Sequence, residues 1–287
     1  MTLIEQLSST RFAEPEAVAA ALARRVPAVR KPGEPLMVVA ADHAARGAFA
    51  AGSDLTAMSS REELLARVCV ALSRPGVNGF LGTPDMVEDL ALLGALDGKT
   101  VFGSMNRSGL GGSVFEVDDR MTAFDAAGIV ASGLDGGKML LRIDPSDPAT
   151  SPMLERAAGA VTDLAAAHKV ALVEPFMSAR RGGALVNDLD PDAVMRSLAI
   201  ASGLGRTSAH TWLKVPCVAD MERVMTATSL PCLLLGGEVS EDLDASLRHW
   251  RDALRIPNVK GLVIGRALLF PRGGDVAAAV DQLVEVL

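Results

Sequence analysis

The sequence predicts an α/β protein, specifically a (β/α)8 (TIM) barrel with an N-terminal helix. Eight short apolar runs alternate with stretches of helical pattern along the 287 residues, and this alternation is typical of parallel strands joined by helices. The runs are unbroken, which indicates strands covered on both faces. The length suits one barrel of about 250 residues. No composition shift divides the chain, so we predict one domain over residues 1–287.

The predicted elements begin with a helix at residues 15–26, where Pro15 opens an alanine-rich stretch; proline is favoured in the first turn of a helix. Apolar runs bounded by turn residues are typical of buried strands, and they lie at residues 36–41, 79–81, 100–103, 137–143, 170–176, 210–215, 232–235 and 261–264. Helical patterns lie at residues 84–96, 119–132, 152–168, 191–202 and 275–287. A polar loop is predicted between residue 176 and the helix at 191.

A glycine-rich loop at residues 104–118 follows the third strand. We expect it to be mobile or to cover the site. No helix-opening fingerprint follows its glycines directly, so we do not interpret it as a nucleotide cradle.

Composition excludes several classes of function. The net charge of -7 gives no basic surface for nucleic acid. No apolar run reaches the roughly 18 residues that cross a bilayer, so no membrane partner is expected. The N-terminus lacks the pattern of a signal peptide. The three cysteines have no CxxC spacing, which favours reduced thiols in a cytoplasmic protein.

Two lysines stand inside predicted strands, Lys138 in the fourth and Lys214 in the sixth. A buried ammonium group is costly unless it is paired or neutral. A lysine with a lowered pKa is an amine nucleophile that forms Schiff bases with carbonyl compounds. The alternative is a structural lysine that extends to solvent from the end of its strand.

Acidic residues accompany these lysines on neighbouring strands. Glu174 lies in the fifth strand, between the two lysine strands, and Asp42 closes the first. Strand residues alternate in facing, so Lys138 shares a face with Arg142. If that face points into the barrel, Lys138, Glu174 and Lys214 can meet, and two ammonium groups near one carboxylate would push one lysine toward its neutral form.

An anion site is predicted at the ends of the last two strands. Gly236-Gly237 and Gly265-Arg266 follow them, in the position where barrels commonly bind phosphate. His43 is the one histidine of four that lies at this rim, so we expect no metal site. We take His43 and Arg142 as further substrate-binding candidates.

Taken together, these motifs resemble the class I, Schiff-base-forming sugar-phosphate aldolases of the (β/α)8 type, over about residues 36–270. That group includes tagatose-bisphosphate, sulfofructose-phosphate, deoxyribose-phosphate and archaeal-type fructose-bisphosphate aldolases. The matching segments are 39–43, 137–141, 173–175, 213–216, 236–237 and 265–266.

The resemblance implies roles for individual residues. It makes Lys214 the Schiff-base lysine, Lys138 the lysine that tunes its pKa, Glu174 the acid/base group and Asp42 a hydroxyl-binding group. It assigns phosphate binding to the residues Gly236, Gly237, Gly265 and Arg266. It implies a sugar-phosphate substrate, no cofactor and a homo-oligomer.

The sequence looks closest to actinobacterial relatives that accompany inositol-catabolism genes and carry a deoxyribose-phosphate-aldolase-like label. These imply cleavage of 2-deoxy-5-keto-gluconate 6-phosphate to dihydroxyacetone phosphate and malonate semialdehyde. Two departures weaken the assignment of the substrate. Leu235 stands where many relatives have serine, with Glu238 close by, and the chain has no tyrosine, the proton donor of some archaeal-type relatives.

Three rival interpretations stay open. One is a metal-dependent barrel aldolase or isomerase. Another is a transaldolase-like enzyme or a dehydratase that uses the same lysine. The third is a non-catalytic sugar-phosphate sensor, against which the costly pair of strand lysines argues.

Overall fold

The structure, a computed structural model, describes residues 1–106, 110–236 and 243–287. Its strands are β1 (Leu36–Ala40), β2 (Gly79–Gly82), β3 (Thr100–Ser104), β4 (Gly136–Ile143), β5 (Val170–Arg181), β6 (Ala184–Asn187), β7 (Thr211–Pro216), β8 (Cys232–Leu235) and β9 (Val259–Ile264). Its α-helices are α1 (Leu3–Ala13), α2 (Glu16–Arg24), α3 (Arg61–Ser73), α4 (Pro84–Leu92), α5 (Ala126–Ala131), α6 (Thr150–Ala166), α7 (Pro191–Ser202), α8 (Met221–Val224), α9 (Leu243–Ala253), α10 (Arg266–Leu269) and α11 (Val276–Val284).

Eight of these strands form a closed parallel barrel. The pairing order is β4-β3-β2-β1-β9-β8-β7-β5, and a further pairing of β4 with β5 closes the ring. Strand β6 stands outside the ring and pairs antiparallel with the end of β5. The helices surround the barrel, and α1 and α2 precede it. The predicted (β/α)8 barrel with an N-terminal helical region is therefore confirmed.

Every second side chain along the strands points inward, and these side chains fill the interior of the barrel toward the amino ends of the strands. This inner cluster consists of Leu36, Val38, Ala40, Leu81, Phe102, Leu172, Leu233 and Val263, with Val170 and Trp212 packed against it. The rings of Phe102 and Trp212 lie 6.0 Å apart between centroids, and the Arg30 guanidinium lies 4.8 Å from the Trp212 centroid. Because Trp212 precedes Lys214 by two residues on β7, the lysine continues the same inward face.

The other face of each strand packs against the helices and forms the larger hydrophobic core. The N-terminal region is fixed to the amino ends of the strands by Arg25, which is buried. Its guanidinium donates to the carbonyl oxygens of Lys99 at 2.9 Å and Gly133 at 2.5 Å. Packed side chains therefore fill the amino-terminal end of the barrel, and the carboxyl ends of the strands lie at the other end.

Two predicted elements were wrong. The polar loop expected after residue 176 is instead an extension of β5 and a hairpin with β6. Gly182 and Gly183 make its two-residue turn at φ +59° and +86°, as such a hairpin requires. The helix expected at 119–132 spans only Ala126–Ala131 and is capped by Asp125, whose side chain accepts from Gly128 N.

Helices α1, α3, α8 and α10 were not predicted, and the helix expected at 275–287 ends at Val284. By contrast, α7 has the predicted bounds. It begins at Pro191, with Asp190 as the capping residue. Helix α4 likewise begins at the predicted Pro84, because proline is favoured in the first helical turn.

Candidate active site

Three charged side chains from neighbouring strands meet inside the barrel at its carboxyl-terminal end. Lys138 lies on β4, Glu174 on β5 and Lys214 on β7, and all three are buried. The strand register brings them together. Val173 pairs with Leu213, so the next residues, Glu174 and Lys214, lie side by side. Leu140 pairs with Glu174, and Lys138 lies two residues before Leu140 on the same face of β4. The arrangement that the inward facing of the strands predicts is therefore present in the structure.

These side chains and Asp42 form a chain of alternating charge. Lys214 Nζ lies 2.9 Å from Glu174 Oε1, and Lys138 Nζ lies 2.7 Å from Glu174 Oε2. Lys138 Nζ also lies 2.9 Å from Asp42 Oδ2. Lys138 is thus held between two carboxylates, whereas Lys214 contacts only one of them. With 5% of its side chain exposed, Lys214 does not extend to solvent.

The electrostatic surroundings separate the two lysines. Burial lowers the pKa of Lys214, and repulsion from Lys138 acts in the same direction, while attraction to Glu174 only partly opposes them. Burial alone would also lower the pKa of Lys138, but its contacts with Asp42 and Glu174 outweigh it and raise that pKa. Lys138 therefore keeps its proton, and Lys214 is the amine that becomes neutral more easily.

Both carboxylates stay ionised. Burial alone would raise the pKa of Glu174, but the charges of Lys138 and Lys214 lower it to about 2. The pKa of Asp42 is also held well below its usual range, because attraction to Lys138 and its other cationic neighbours exceeds the effect of burial. Around Lys214 the free protein therefore presents one ammonium group and two carboxylates.

A cavity of about 530 Å³ opens at this end of the barrel. Lys214 and Glu174 stand in its wall, beside the apolar side chains of Leu140 and Phe176. The described residues that line the cavity do not include Lys138 or Asp42. Asp42 nevertheless has 11% of its side chain exposed, more than Lys214 with 5%, and it directly precedes His43, which lines the cavity. The hydroxyl-binding role of Asp42 stays a prediction.

The predicted anion site borders the same cavity. Gly236, Gly265 and Arg266 line it together with Arg46. A Cβ atom on Gly265 would lie 2.7 Å from His43 Cε1, so the close approach of this strand end to His43 requires glycine. Two guanidinium groups near exposed backbone are a suitable environment for phosphate. Gly237 and Glu238 lie outside the described residues.

Arg142 lines the cavity from β4, as expected from its position on the inward face. Its guanidinium forms an ion pair with Glu116, which comes from the loop after β3. Glu116 is buried, and its other oxygen accepts from Gly112 N at 3.3 Å. The part of the loop around Glu116 therefore lies against the mouth of the barrel. Residues 107–109 of the same loop lie outside the described residues.

Sequence reasoning missed several residues of the cavity wall. Arg46 follows the first strand in a short 3-10 helix, Ala44–Arg46, and its place just past a strand end was the only available signal. Asn187 comes from β6, and His249 and Trp250 come from α9. The prediction that His43 is the one histidine at this rim was therefore wrong. These residues could not be found without the β5–β6 hairpin and the position of α9.

The described residues give no support for a metal site, a disulfide or a membrane-spanning helix. Within the three described ranges, no group of three or more His, Cys, Asp or Glu side chains is placed to hold a metal ion. The cysteines form no disulfide, and burial raises the pKa of Cys217 to about 11 and that of Cys232 to about 12. No described helix is both long and apolar enough to cross a membrane.

The fold and the site together define a (β/α)8-barrel protein with a buried, carboxylate-bridged lysine pair at the carboxyl-terminal end of its strands. Residues 34–284 match the model of the Cgl0159-like family, and the chain belongs to that family. The crystal structure of Cgl0159 from Corynebacterium glutamicum (Brevibacterium flavum) is 51% identical, with a TM-score of 0.96, and the match covers 99% of this chain and 96% of that one.

More distant solved structures share the fold. A Schiff-base-forming fructose-1,6-bisphosphate aldolase is 19% identical, with a TM-score of 0.65, and the match covers 94% of this chain and 99% of that one. An archaeal fructose-1,6-bisphosphate aldolase is 18% identical, with a TM-score of 0.66 and coverage of 94% and 98%. No match was found among curated proteins.

Proposed function

We propose that this protein is a class I aldolase that cleaves a ketose phosphate through a Schiff base on Lys214. The observation that carries the proposal is the state of that lysine. It stands in the wall of a deep cavity, and burial together with the charge of Lys138 lowers its pKa. A neutral amine is the form that attacks a carbonyl carbon.

The reaction follows from this placement. Lys214 adds to the ketone to give a carbinolamine, which loses water to form an iminium ion. The iminium accepts the electron pair of the breaking C–C bond and becomes an enamine, while the other fragment leaves as an aldehyde. Protonation and hydrolysis of the enamine then release the ketone product and restore Lys214.

Glu174 manages the protons at the amine nitrogen. Its Oε1 is 2.9 Å from Lys214 Nζ, within reach for direct transfer. In the free protein two ammonium groups lower its pKa to about 2. Once Lys214 is part of a neutral carbinolamine, one of those charges disappears, so the proton affinity of Glu174 rises. The carboxylate then accepts and returns the proton that dehydration of the carbinolamine needs.

Lys138 is a positioning residue in this scheme. It holds Glu174 through Oε2 and Asp42 through Oδ2, and it keeps its own proton. Its fixed positive charge favours the neutral form of Lys214. The lysine pair therefore has one member that is permanently charged and one that reacts.

The proposed substrate carries a phosphate at the end that faces Arg46 and Arg266. Within the class, we propose 2-deoxy-5-keto-gluconate 6-phosphate, with dihydroxyacetone phosphate and malonate semialdehyde as products; its support is the sequence resemblance. Other sugar-phosphate or sulfosugar-phosphate substrates are the alternatives. On the same sequence grounds we propose a single-domain, cytoplasmic homo-oligomer.

Borohydride reduction of a ketone adduct tests the proposal. The protein is incubated with a panel of ketose phosphates and with dihydroxyacetone phosphate, reduced, and analysed by intact mass. We expect one adduct per chain in the wild type, none in Lys214→Met, and an unchanged adduct in the control Lys260→Met, which removes an exposed lysine at the start of β9. An adduct that survives in Lys214→Met would overturn the assignment.

The rival functions give different results. Activity that is lost in EDTA and restored by zinc would indicate a metal-dependent enzyme. An adduct without aldehyde product would indicate a transaldolase-like enzyme or a dehydratase, and product analysis separates these. Binding of a sugar phosphate with neither adduct nor turnover would indicate a sensor.

A further inference from the structure

The proposed C–C cleavage needs a base, and the four linked charged side chains of the site do not supply one. When the C–C bond breaks, the hydroxyl group on the carbon that becomes the aldehyde must lose its proton. Both oxygens of Glu174 already accept from ammonium groups, at 2.9 and 2.7 Å. Asp42 Oδ2 likewise accepts from Lys138, at 2.9 Å, and Lys138 is held as an ammonium group between the two carboxylates. A side chain in the wall without such an ammonium partner is better suited to take this proton.

Two histidines line the cavity among the described residues, and His249 is exposed on α9, so His43 is the one placed for that task. It follows Asp42 at the carboxyl end of β1 and lines the cavity together with Lys214. Its imidazole packs against Gly265, and only 14% of the side chain is exposed. Its Nδ1 is buried and has no hydrogen-bond partner among the described residues.

His43 also extends the charged chain around the barrel. Its Nδ1 lies 3.8 Å from Asp42 Oδ1, while Asp42 Oδ2 is the oxygen bound to Lys138. Asp42 therefore has one oxygen directed at each neighbour. A shift of less than 1 Å would turn the imidazole contact into a hydrogen bond of ordinary length, and an aspartate that holds an imidazole stabilises its protonated form.

We propose that His43 is the catalytic base that accepts the proton of the substrate hydroxyl group during C–C cleavage. The inference rests on the proposed Schiff base at Lys214. In the step, the O–H electron pair becomes the second bond of the aldehyde, and the C–C pair becomes the enamine double bond. The C=N pair moves to the nitrogen of Lys214, and the proton resides on His43. The protonated imidazole then returns its proton to the enamine carbon.

Substrate binding makes this histidine a stronger base. In the free protein burial lowers the pKa of His43 to about 3; Arg46, Arg266 and Lys214 act in the same direction, and Asp42 opposes them. A phosphate bound beside the two arginines cancels their effect on the imidazole. The iminium ion that Lys214 forms keeps a positive charge at that position, so only the influence of the two arginines weakens. The proton affinity of His43 therefore rises when the phosphate of the substrate is in place.

Replacement of His43 tests the role in cleavage. We expect His43→Gln to lower kcat about 100- to 1000-fold on the ketose phosphate that the wild type captures on Lys214, with little change in KM and an undiminished borohydride adduct. The control is His210→Gln, because His210 lies before β7 at the opposite end of the barrel. It should match the wild type in both measurements.

The outcomes separate this inference from the proposed function. A kcat within a few fold of the wild type in His43→Gln would overturn the role of His43. Loss of the adduct in that variant would also overturn it, because the residue would then act on the amine or on the fold. Failure of the wild type to form any adduct would instead refute the Schiff base at Lys214.

A measurement on the unmodified protein tests the coupling to anion binding. The ¹⁵N shifts of the His43 imidazole are followed against pH, with and without inorganic phosphate. We expect phosphate to raise the pKa of His43, and we expect that rise to be smaller in Arg46→Gln. Titration of His43 that is the same with and without phosphate would contradict the inference.

Discussion

Replacement of Glu174 by glutamine tests the electrostatic account of the site directly. The carboxylate receives an ammonium group on each oxygen, from Lys214 and from Lys138. Burial alone would raise its pKa, but these two charges lower it from 4.5 to about 2. Glutamine keeps the shape of the side chain and removes its charge. Two buried ammonium groups then lose their common counter-charge.

The magnitude follows from the linkage between protonation and folding. Glu174 binds a proton near pH 4.5 in the unfolded chain and near pH 2 in the folded one. Each unit of difference is about 1.4 kcal/mol, so ionisation of Glu174 contributes about 3 kcal/mol to the free energy of unfolding at pH 7. This contribution is complete above pH 4.5 and is lost as the pH falls through 2. Removal of one partner from a buried ion pair typically costs about 3–5 kcal/mol, which agrees.

Urea denaturation at pH 7 and at pH 3 measures the effect. We expect Glu174→Gln to be less stable than the wild type by about 3 kcal/mol at pH 7, and the difference to shrink by about 2 kcal/mol at pH 3. The control Glu155→Gln, at an exposed position on α6, should stay within about 0.5 kcal/mol of the wild type. A difference of the same size at both pH values would refute the reasoning.

Three further predictions concern other parts of the barrel. Lys138→Met removes a like charge near Lys214, so the rate of borohydride trapping should rise only at higher pH; an unchanged pH profile would contradict this. Gly265→Ala should lower the free energy of unfolding by about 1–3 kcal/mol, because its Cβ would lie 2.7 Å from His43 Cε1. Gly159→Ala should raise it by about 0.5–1 kcal/mol, because Gly159 lies within α6 with nothing within 4 Å of the added methyl. Thermal unfolding measures the stability of both glycine variants. A variant as stable as the wild type would contradict the prediction made for it.

The barrel could be predicted because its strands are buried on both faces and therefore appear as unbroken apolar runs. The β5–β6 hairpin could not, because β6 is exposed or half-buried along its length and lacks such a run. The predicted helix at 119–132 was too long for a tertiary reason. Thr122 and Ala123 donate their backbone N–H groups to the carbonyl oxygen of Met105. These residues therefore belong to the loop that follows β3 and not to a helix.

The meeting of Lys138, Glu174 and Lys214 could be predicted because alternation along a strand and the order of neighbouring strands determine it. Arg46 and Glu116 could not be predicted in the same way. Both lie in loops, where the path of the chain rather than a periodic pattern decides which side chain reaches the cavity. Sequence alone also could not show that His249, which lies in a helix, reaches the cavity wall.

The site divides its two lysines by the number of carboxylates that each contacts. Lys138 forms ion pairs with both Glu174 and Asp42. Loss of its proton would therefore deprive two buried carboxylates of the same counter-charge. Lys214 touches Glu174 alone, and Glu174 keeps Lys138 when Lys214 becomes neutral. Neutralisation therefore costs less at Lys214 than at Lys138. The unequal pairing, rather than burial as such, decides which lysine loses its proton more easily, because both lysines are almost equally buried.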